Sequence, residues 1–170
     1  RTANVIWDQK EEFDFQIIDS PEALYAKIKQ KNEEKQSSAR LVAGFCWPWS
    51  NPSSDGTLVN DVKIGKFEMP WEGKDGFKLA KGIPPASQWP NDPNGVNQIG
   101  SIYTIQGFEF DYVGVIIGPD LIYNFENQTW IAQREKSADS VVKRSGEKLV
   151  ELLKNTYRVL LTRAMKGCYV

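Results

Sequence analysis

The run Gln106-Gly107-Phe108-Glu109-Phe110-Asp111 leads directly into the apolar stretch Val113-Gly114-Val115-Ile116-Ile117. A short apolar run closed by Gly118-Pro119 is typical of a strand that is covered on both faces in a parallel sheet. A second run of this kind extends from Arg40 to Cys46. The sequence therefore predicts an α/β fold, with a mainly parallel sheet flanked by helices.

Helix signals lie near both ends of the chain. Ser20-Pro21 predicts the start of a helix that runs to about Glu34, because serine caps helix N-termini and proline suits the first turn. A second, amphipathic helix is predicted from Glu147 to Ala164, with Gly167 as its left-handed C-terminal residue. Its apolar stripe consists of Leu149, Leu153, Tyr157 and Leu160.

Proline, glycine, asparagine, aspartate and serine dominate residues 47–98. An irregular stretch of this length inside a compact domain is usually functional or an insertion. We expect one domain over residues 1–170, with 47–98 as an insertion on the sheet edge. A small hairpin is predicted inside it, from Val62-Lys63-Ile64 and Lys66-Phe67-Glu68-Met69. Trp71 and Trp89 are expected to hold the insertion against the sheet.

Two further strands are predicted after the insertion. The first runs from Gln98 to Tyr103 and precedes the quoted loop. The second is short and lies at Thr129-Trp130-Ile131, within a stretch of residues 120–146 that is otherwise predicted to be irregular. Strands separated by helices or long connections favour parallel pairing.

The composition excludes several classes of protein. Among the 170 residues, 21 lysines and arginines balance 22 acidic residues, so no global excess of positive charge favours binding to phosphates. The chain has no histidine, and Cys46 and Cys168 lie far apart, so the usual zinc spacings are absent and no metal site is predicted. No run approaches the roughly 18 apolar residues of a membrane span. We expect a cytoplasmic protein with no membrane partner.

Polar residues around the quoted loop are candidates for ligand binding. In open parallel sheets, ligands bind beyond the carboxyl ends of the strands, where loops offer unpaired N–H groups. A glycine at position 107 permits a close backbone approach. The candidates at such an edge are Ser101, Thr104, Gln106, Gly107 and Glu109. An ordinary polar loop remains the alternative interpretation.

Three other side chains have a possible role in binding. The guanidinium of Arg163 suits a phosphate oxygen that gains charge during phosphoryl transfer, although a cation at a helix end also interacts with the helix dipole without any further role. Trp47 and Trp49 follow the Arg40–Cys46 strand. Their rings either stack on nucleic-acid bases or cover the insertion as apolar packing.

The order of these motifs resembles motifs V and VI of superfamily-one helicases. Gln106-Gly107-Phe108-Glu109 is similar to the Q-G-x-E form of motif V, and Thr162-Arg163-Ala164 to the T-R-A centre of motif VI. A closer resemblance, over roughly Arg40 to Val170, is to the Schlafen-group helicase-like family of unknown function. It rests on the residues from Gln106 to Ile116 and from Asn155 to Arg163.

This resemblance implies a three-layer α/β/α RecA-like domain, related to P-loop NTPases, that forms the C-terminal half of an ATP-dependent helicase or translocase. Arg163 would approach the γ-phosphate of ATP as the catalytic arginine, and the loop from Gln106 to Glu109 would contact the nucleotide. Single-stranded DNA or RNA would meet Ser101, Thr104, Trp47 and Trp49.

The chain contains no G-x-x-x-x-G-K-[ST] motif, which cradles the phosphates of a nucleotide in P-loop proteins. The resemblance therefore implies that ATP and Mg²⁺ are bound mainly by an N-terminal RecA-like domain of the same protein, and that this piece alone is inactive. One rival is a non-catalytic module that binds nucleic acid or protein on a RecA-like scaffold. A weaker rival is a metal-dependent nuclease that uses Glu109, Asp111 and Asp120.

Overall fold

A computed structural model describes residues 13–34 and 38–170. In chain order its strands and α-helices are β1 (Asp14–Gln16), α1 (Pro21–Glu33), β2 (Ala39–Ala43), β3 (Val62–Ile64), β4 (Phe67–Met69), β5 (Ile99–Gly100), α2 (Ile102–Ile105), β6 (Phe110–Ile116), β7 (Leu121–Asn124), β8 (Thr129–Ala132), α3 (Ser140–Arg144), α4 (Leu149–Leu161) and β9 (Ala164–Tyr169). Short 3₁₀ turns lie at Pro93–Asn97, Arg134–Lys136 and Gly146–Lys148.

Five strands form the main sheet in the order β1-β9-β6-β2-β5, and every neighbouring pair is parallel. The predicted α/β class with a parallel sheet is confirmed. Two separate hairpins, β3–β4 and β7–β8, are antiparallel. The first confirms the hairpin predicted within the insertion. None of the described helices combines the length and the apolar character needed to cross a bilayer.

Two apolar cores lie on opposite faces of the sheet, because successive residues of a strand point to opposite sides. On one face Leu41 of β2 packs with Leu24 and Ile28 of α1. On the other, Val42 packs in the same core as Leu153 and Leu160 of α4. The result is the three-layer arrangement that the resemblance to a RecA-like domain implies.

The helix ends match the sequence in part. The hydroxyl of Ser20 accepts a hydrogen bond from the Ala23 N–H at 3.1 Å, as expected of an N-cap. Helix α4 ends earlier than predicted, at Leu161, and Gly167 is not its left-handed cap. Gly167 instead lies inside β9. Glycine fits this position because a Cβ there would approach the Asp14 carbonyl oxygen to 2.7 Å.

The prediction of a strand from Gln98 to Tyr103 is largely wrong. In this stretch only Ile99 and Gly100 belong to a strand, β5, and Ile102 to Ile105 form the short helix α2. The Thr104 and Ile105 N–H groups both donate to the Ser101 carbonyl, which begins the helical turn. The strand at Thr129 is confirmed as β8, and its partner β7 lies in a stretch that was predicted to be irregular.

The insertion packs along β5, the edge strand of the sheet. The Ile99 N–H donates to the Pro70 carbonyl and the Glu72 N–H donates to the Ile99 carbonyl, both at 2.9 Å. The Trp89 ring covers Gly100, where a Cβ would lie 2.2 Å from a ring carbon. The Trp71 indole donates to a carbonyl within the insertion. These contacts support the expectation that Trp71 and Trp89 hold the insertion in place.

Arg40 joins the insertion to the sheet from within the core. Its side chain is 2% exposed, and its guanidinium donates five hydrogen bonds. Burial lowers the pKa of Arg40 to about 10, so the group remains a cation at neutral pH. The acceptors are the carbonyl oxygens of Trp89, Pro90, Asp92 and Ala39 and the amide oxygen of Asn32, at 2.7–3.2 Å.

Candidate functional site

The predicted site residues occupy two opposite edges of the sheet. At the carboxyl edge β5 ends at Gly100 and is followed by Ser101; at the amino edge β6 begins at Phe110 and is preceded by Glu109. Both strands run parallel to β2, so these positions are on opposite sides. The expectation that Glu109 lies at the carboxyl edge was wrong, because the chain passes from that edge to the amino edge between Ser101 and Phe110. Gln106 lies within this connection, directly after α2.

At the amino edge the structure brings Arg163 beside the loop that contains Gly107. The Phe110 N–H donates to the Arg163 carbonyl at 2.9 Å, and Phe110 is paired with Ala164 in the ladder. Gly107 has a φ of 90°, and a Cβ there would meet no atom within 4 Å, so open space adjoins the turn. Gln106, Gly107 and Glu109 are all exposed.

The guanidinium of Arg163 lies in the turn that follows α4. Its Nε donates to the Val159 carbonyl at 3.2 Å, and its Nη2 lies 3.4 Å from the Thr162 hydroxyl. Within residues 13–34 and 38–170, no carboxylate forms an ion pair with it. A half-buried cation that is held by a carbonyl and lacks an acidic partner is suited to an anionic ligand.

A β-bulge follows Arg163 immediately. Phe110 pairs with Ala164 and Tyr112 with Gly167, so two residues of β9, Met165 and Lys166, lie opposite one residue of β6, Asp111. Bulges bend a strand and redirect its side chains. In this one the Lys166 ammonium lies 2.9 Å from Oδ1 of Asp111.

Asp111 also binds the segment that enters β2. Its Oδ2 accepts from the Ser38 N–H at 3.0 Å, and its own N–H donates to the Ser38 hydroxyl at 3.1 Å. Burial alone would raise the pKa of Asp111, but the hydrogen bonds from Lys166 and Ser38 outweigh it and hold the pKa below the ordinary value. We call Ser38, Asp111 and Lys166 the Asp111 cluster.

At the carboxyl edge, Ser101 and Thr104 converge on one carboxylate. Oε1 of Glu72 accepts from the Ser101 N–H at 3.2 Å, from the Ser101 hydroxyl at 2.7 Å and from the Thr104 hydroxyl. Ser101 is buried and Thr104 is half-buried. Burial raises the pKa of Glu72 despite these hydrogen bonds. Contact between Ser101 and a phosphate stays a prediction, since its hydroxyl is bound by Glu72 here.

Trp47 and Trp49 belong to an aromatic cluster at the same edge. Their indole N–H groups donate to the carbonyls of Lys63 and Glu72, both at 3.0 Å, and both side chains are half-buried. These bonds fit a packing role within the insertion, and base stacking stays a prediction. The cluster consists of Phe45, Trp47, Trp49, Trp71 and Tyr103.

Sequence reasoning missed three residues of this edge. Tyr103 is 52% exposed beside Thr104, and Lys74 lies 5.5 Å from the centre of the Trp49 ring. Glu72 is buried beneath them. Tyr103 was assigned to a strand, and Glu72 and Lys74 lie in the irregular insertion, where no periodic pattern marks them.

The acids of the nuclease hypothesis do not meet. Glu109 and Asp111 lie at the start of β6 and Asp120 lies beyond its end, so a seven-residue strand, about 20 Å long at ~3.3 Å per residue, separates them. Asp120 is buried and accepts a hydrogen bond from the Tyr157 hydroxyl at 2.6 Å. The described part of the chain has no cluster of three histidine, cysteine or acidic residues arranged to hold a metal.

Comparison with known proteins identifies related sequences. The family model described as Schlafen group 3, DNA/RNA helicase domain, matches residues 1–170. An uncharacterized protein of Saccharomyces cerevisiae (strain ATCC 204508 / S288c) is 28% identical over 171 residues, which cover 96% of this chain and 35% of that protein. The chain thus spans about a third of the relative's length. No solved structure matches the chain significantly.

Proposed function

The chain belongs to the Schlafen group 3 DNA/RNA helicase domain family, and on this premise we propose that it is the C-terminal RecA-like half of an ATP-dependent helicase or translocase that acts on single-stranded DNA or RNA. One observation carries the proposal. Arg163 and the Gln106–Glu109 loop share the amino edge, where a backbone hydrogen bond from Phe110 to Arg163 joins the two segments.

The amino edge fits a nucleotide phosphate. The backbone at Gly107 is open to the surroundings, the side chains of Gln106 and Glu109 are exposed, and Arg163 has no acidic partner among the described residues. In this proposal Gln106, Gly107 and Glu109 bind and orient the nucleotide. ATP supplies the phosphoanhydride bond whose hydrolysis drives domain movement. Most of its contacts, with Mg²⁺, belong to an N-terminal RecA-like domain of the same protein.

The proposed role of Arg163 is electrostatic. Its guanidinium stays charged and offers a fixed fork of donors, which matches oxygen atoms that gain charge as the phosphoryl group is transferred. The Val159 carbonyl holds Nε, and Nη2 has only the long contact with the Thr162 hydroxyl among the described residues, so in this proposal the two terminal nitrogens face the phosphate. Little covalent chemistry is required of the protein in such a reaction, so the position of this cation is the main requirement.

Helix α2 supports a link between nucleotide and nucleic acid. Thr104 belongs to this helix, and Gly107 follows its last residue, Ile105, by two positions. A movement of the Gly107 turn is therefore passed to Thr104 and the Glu72 carboxylate that holds it. The proposed contacts with a single strand are Ser101, Thr104, Trp47 and Trp49.

The test is the ATPase activity of the full-length protein, measured with and without oligonucleotide. Arg163→Ala should lower stimulated turnover by about 10³-fold or more, the range found for arginine fingers. ATP binding and the melting temperature should not change. Arg144→Ala is the matched control, because Arg144 is exposed on α3 and, within the described ranges, donates a hydrogen bond only to Ser140 of its own helix.

Two outcomes would contradict this proposal. Normal turnover in Arg163→Ala would exclude the arginine from phosphoryl transfer. Oligonucleotide binding by a full-length protein that never hydrolyses ATP would favour the rival function, a non-catalytic binding module on a RecA-like scaffold. The isolated 170-residue chain is expected to show no ATPase activity in either case, since it lacks the phosphate-cradling motif.

A further inference from the structure

The Asp111 cluster is a polar connection, buried at Asp111, that the proposed chemistry does not use. Asp111 directly follows Phe110, the residue whose N–H binds the Arg163 carbonyl. Its two carboxylate oxygens are divided between neighbouring segments, Oδ1 to Lys166 of β9 and Oδ2 to Ser38 before β2. Three strands of the amino edge are therefore tied together at one carboxylate.

The bulge explains why such a connection is needed at this place. Because two residues of β9 lie opposite one of β6, the regular ladder is interrupted between Ala164 and Gly167. This interruption begins one residue after Arg163. The backbone bond from Phe110 fixes Arg163 on one side of the gap, and the Lys166–Asp111 ion pair spans the gap itself.

The Lys166–Asp111 ion pair differs from an ordinary exposed salt bridge, because one partner is held in place. The Lys166 side chain is 57% exposed, and a pair formed by two mobile side chains at such a position contributes little. The Asp111 side chain is only 11% exposed, and the Ser38 N–H fixes its orientation. Lys166 therefore meets a carboxylate that is already held in place.

We propose that Asp111 is a positioning residue, which closes the bulge through Lys166 and so fixes the turn that presents Arg163 to the nucleotide. The inference rests on the proposed function of Arg163. Asp111 itself does not touch the nucleotide, since both of its oxygens are bound inside the sheet.

The test measures ATP turnover by full-length variants. Asp111→Asn keeps the shape of the side chain but removes the charge that holds Lys166. We expect kcat to fall by about 10- to 100-fold, since a displacement of about 1 Å in a reacting group has effects of that order. KM for ATP should stay within about twofold. Lys166→Ala should lower kcat in the same way, and Lys166→Arg, which keeps the charge, should restore it.

A double variant distinguishes positioning from an independent role. If Asp111 acts through Arg163, then Asp111→Asn should cause no further loss of kcat in the Arg163→Ala background. Asp14→Asn is the matched control, because Asp14 also joins two strands, accepting from the Tyr169 hydroxyl at 2.6 Å, but forms no hydrogen bond or ion pair with residues 162–166 in the described part of the chain. This control should keep its kcat.

The outcomes separate this inference from the function on which it rests. Normal kcat in Asp111→Asn, with an inactive Arg163→Ala variant, would overturn the inference and leave the proposed function intact. Additive losses in the double variant would also overturn it. Normal turnover in Arg163→Ala would refute the proposed function and this inference together.

Discussion

Replacing Arg40 with lysine tests whether one buried cation holds the insertion on the sheet. Arg40 donates five hydrogen bonds to acceptors in α1, β2 and the insertion. A lysine ammonium has three donors, so at least two of these five acceptors, three of them in buried bonds and two in partly buried ones, lose the hydrogen bond from this side chain. Each unpaired group costs about 1–3 kcal/mol, which gives a loss of about 2–6 kcal/mol in the free energy of unfolding. Such a loss is a large part of the stability of a typical domain.

Urea denaturation followed by tryptophan fluorescence measures this loss, and limited proteolysis reports whether residues 47–98 become accessible. Arg134→Lys is the control, because Arg134 is exposed and donates to the carbonyls of Lys143 and Gly146 at the surface. This control should change the free energy of unfolding by less than about 0.5 kcal/mol. A loss below about 1 kcal/mol for Arg40→Lys, with unchanged proteolysis, would refute the argument.

Two other predictions concern buried polar groups. Tyr157→Phe should lower the free energy of unfolding by about 2–5 kcal/mol, because it removes the hydroxyl that binds the buried Asp120 carboxylate and the Gly118 N–H. Urea denaturation measures this loss, and a value below about 1 kcal/mol would contradict the prediction. The second concerns pH. Because the folded protein lowers the pKa of Asp111 below 3.8, the resulting stability is present above pH 3.8 and is lost as pH falls through the folded-state pKa. The stability difference between wild type and Asp111→Asn should therefore shrink below pH 3.8, and a constant difference from pH 7 to pH 3 would exclude this linkage.

The sequence predicts the sheet well where a strand is long and apolar. The apolar run that contains Val113 and Val115 was predicted as a buried strand, and it is β6. The N-cap at Ser20 was also predictable, because it depends on a hydrogen bond to Ala23, only three positions away. Helix α2 could not be predicted in this way. Residues 98–103 read as a strand, and the turn at Ser101 is held by Glu72, which lies 29 positions earlier in the chain.

The candidate site shows the same limit. Arg163 and the Gly107 loop were paired through motif resemblance alone, and the parallel pairing of β6 with β9, which begin at Phe110 and Ala164, determines the edge at which the two segments come together. The Asp111 cluster joins residues 73 positions apart through Ser38 and depends on a bulge in β9. The local sequence pattern predicts neither the shared edge nor the Asp111 cluster, because both depend on the register between strands that are neighbours in the sheet but distant in the chain.

The hydrogen bonds between Ile99 and the insertion also affect whether a strand of another chain can pair with β5. A terminal strand with free N–H and C=O groups invites a foreign strand to add to the sheet, a common route to aggregation and domain exchange. Here Pro70 and Glu72 of the same molecule occupy that margin next to β5. Strand addition on that side is blocked for as long as the insertion stays folded, so a variant that releases residues 47–98 should self-associate as well as lose stability.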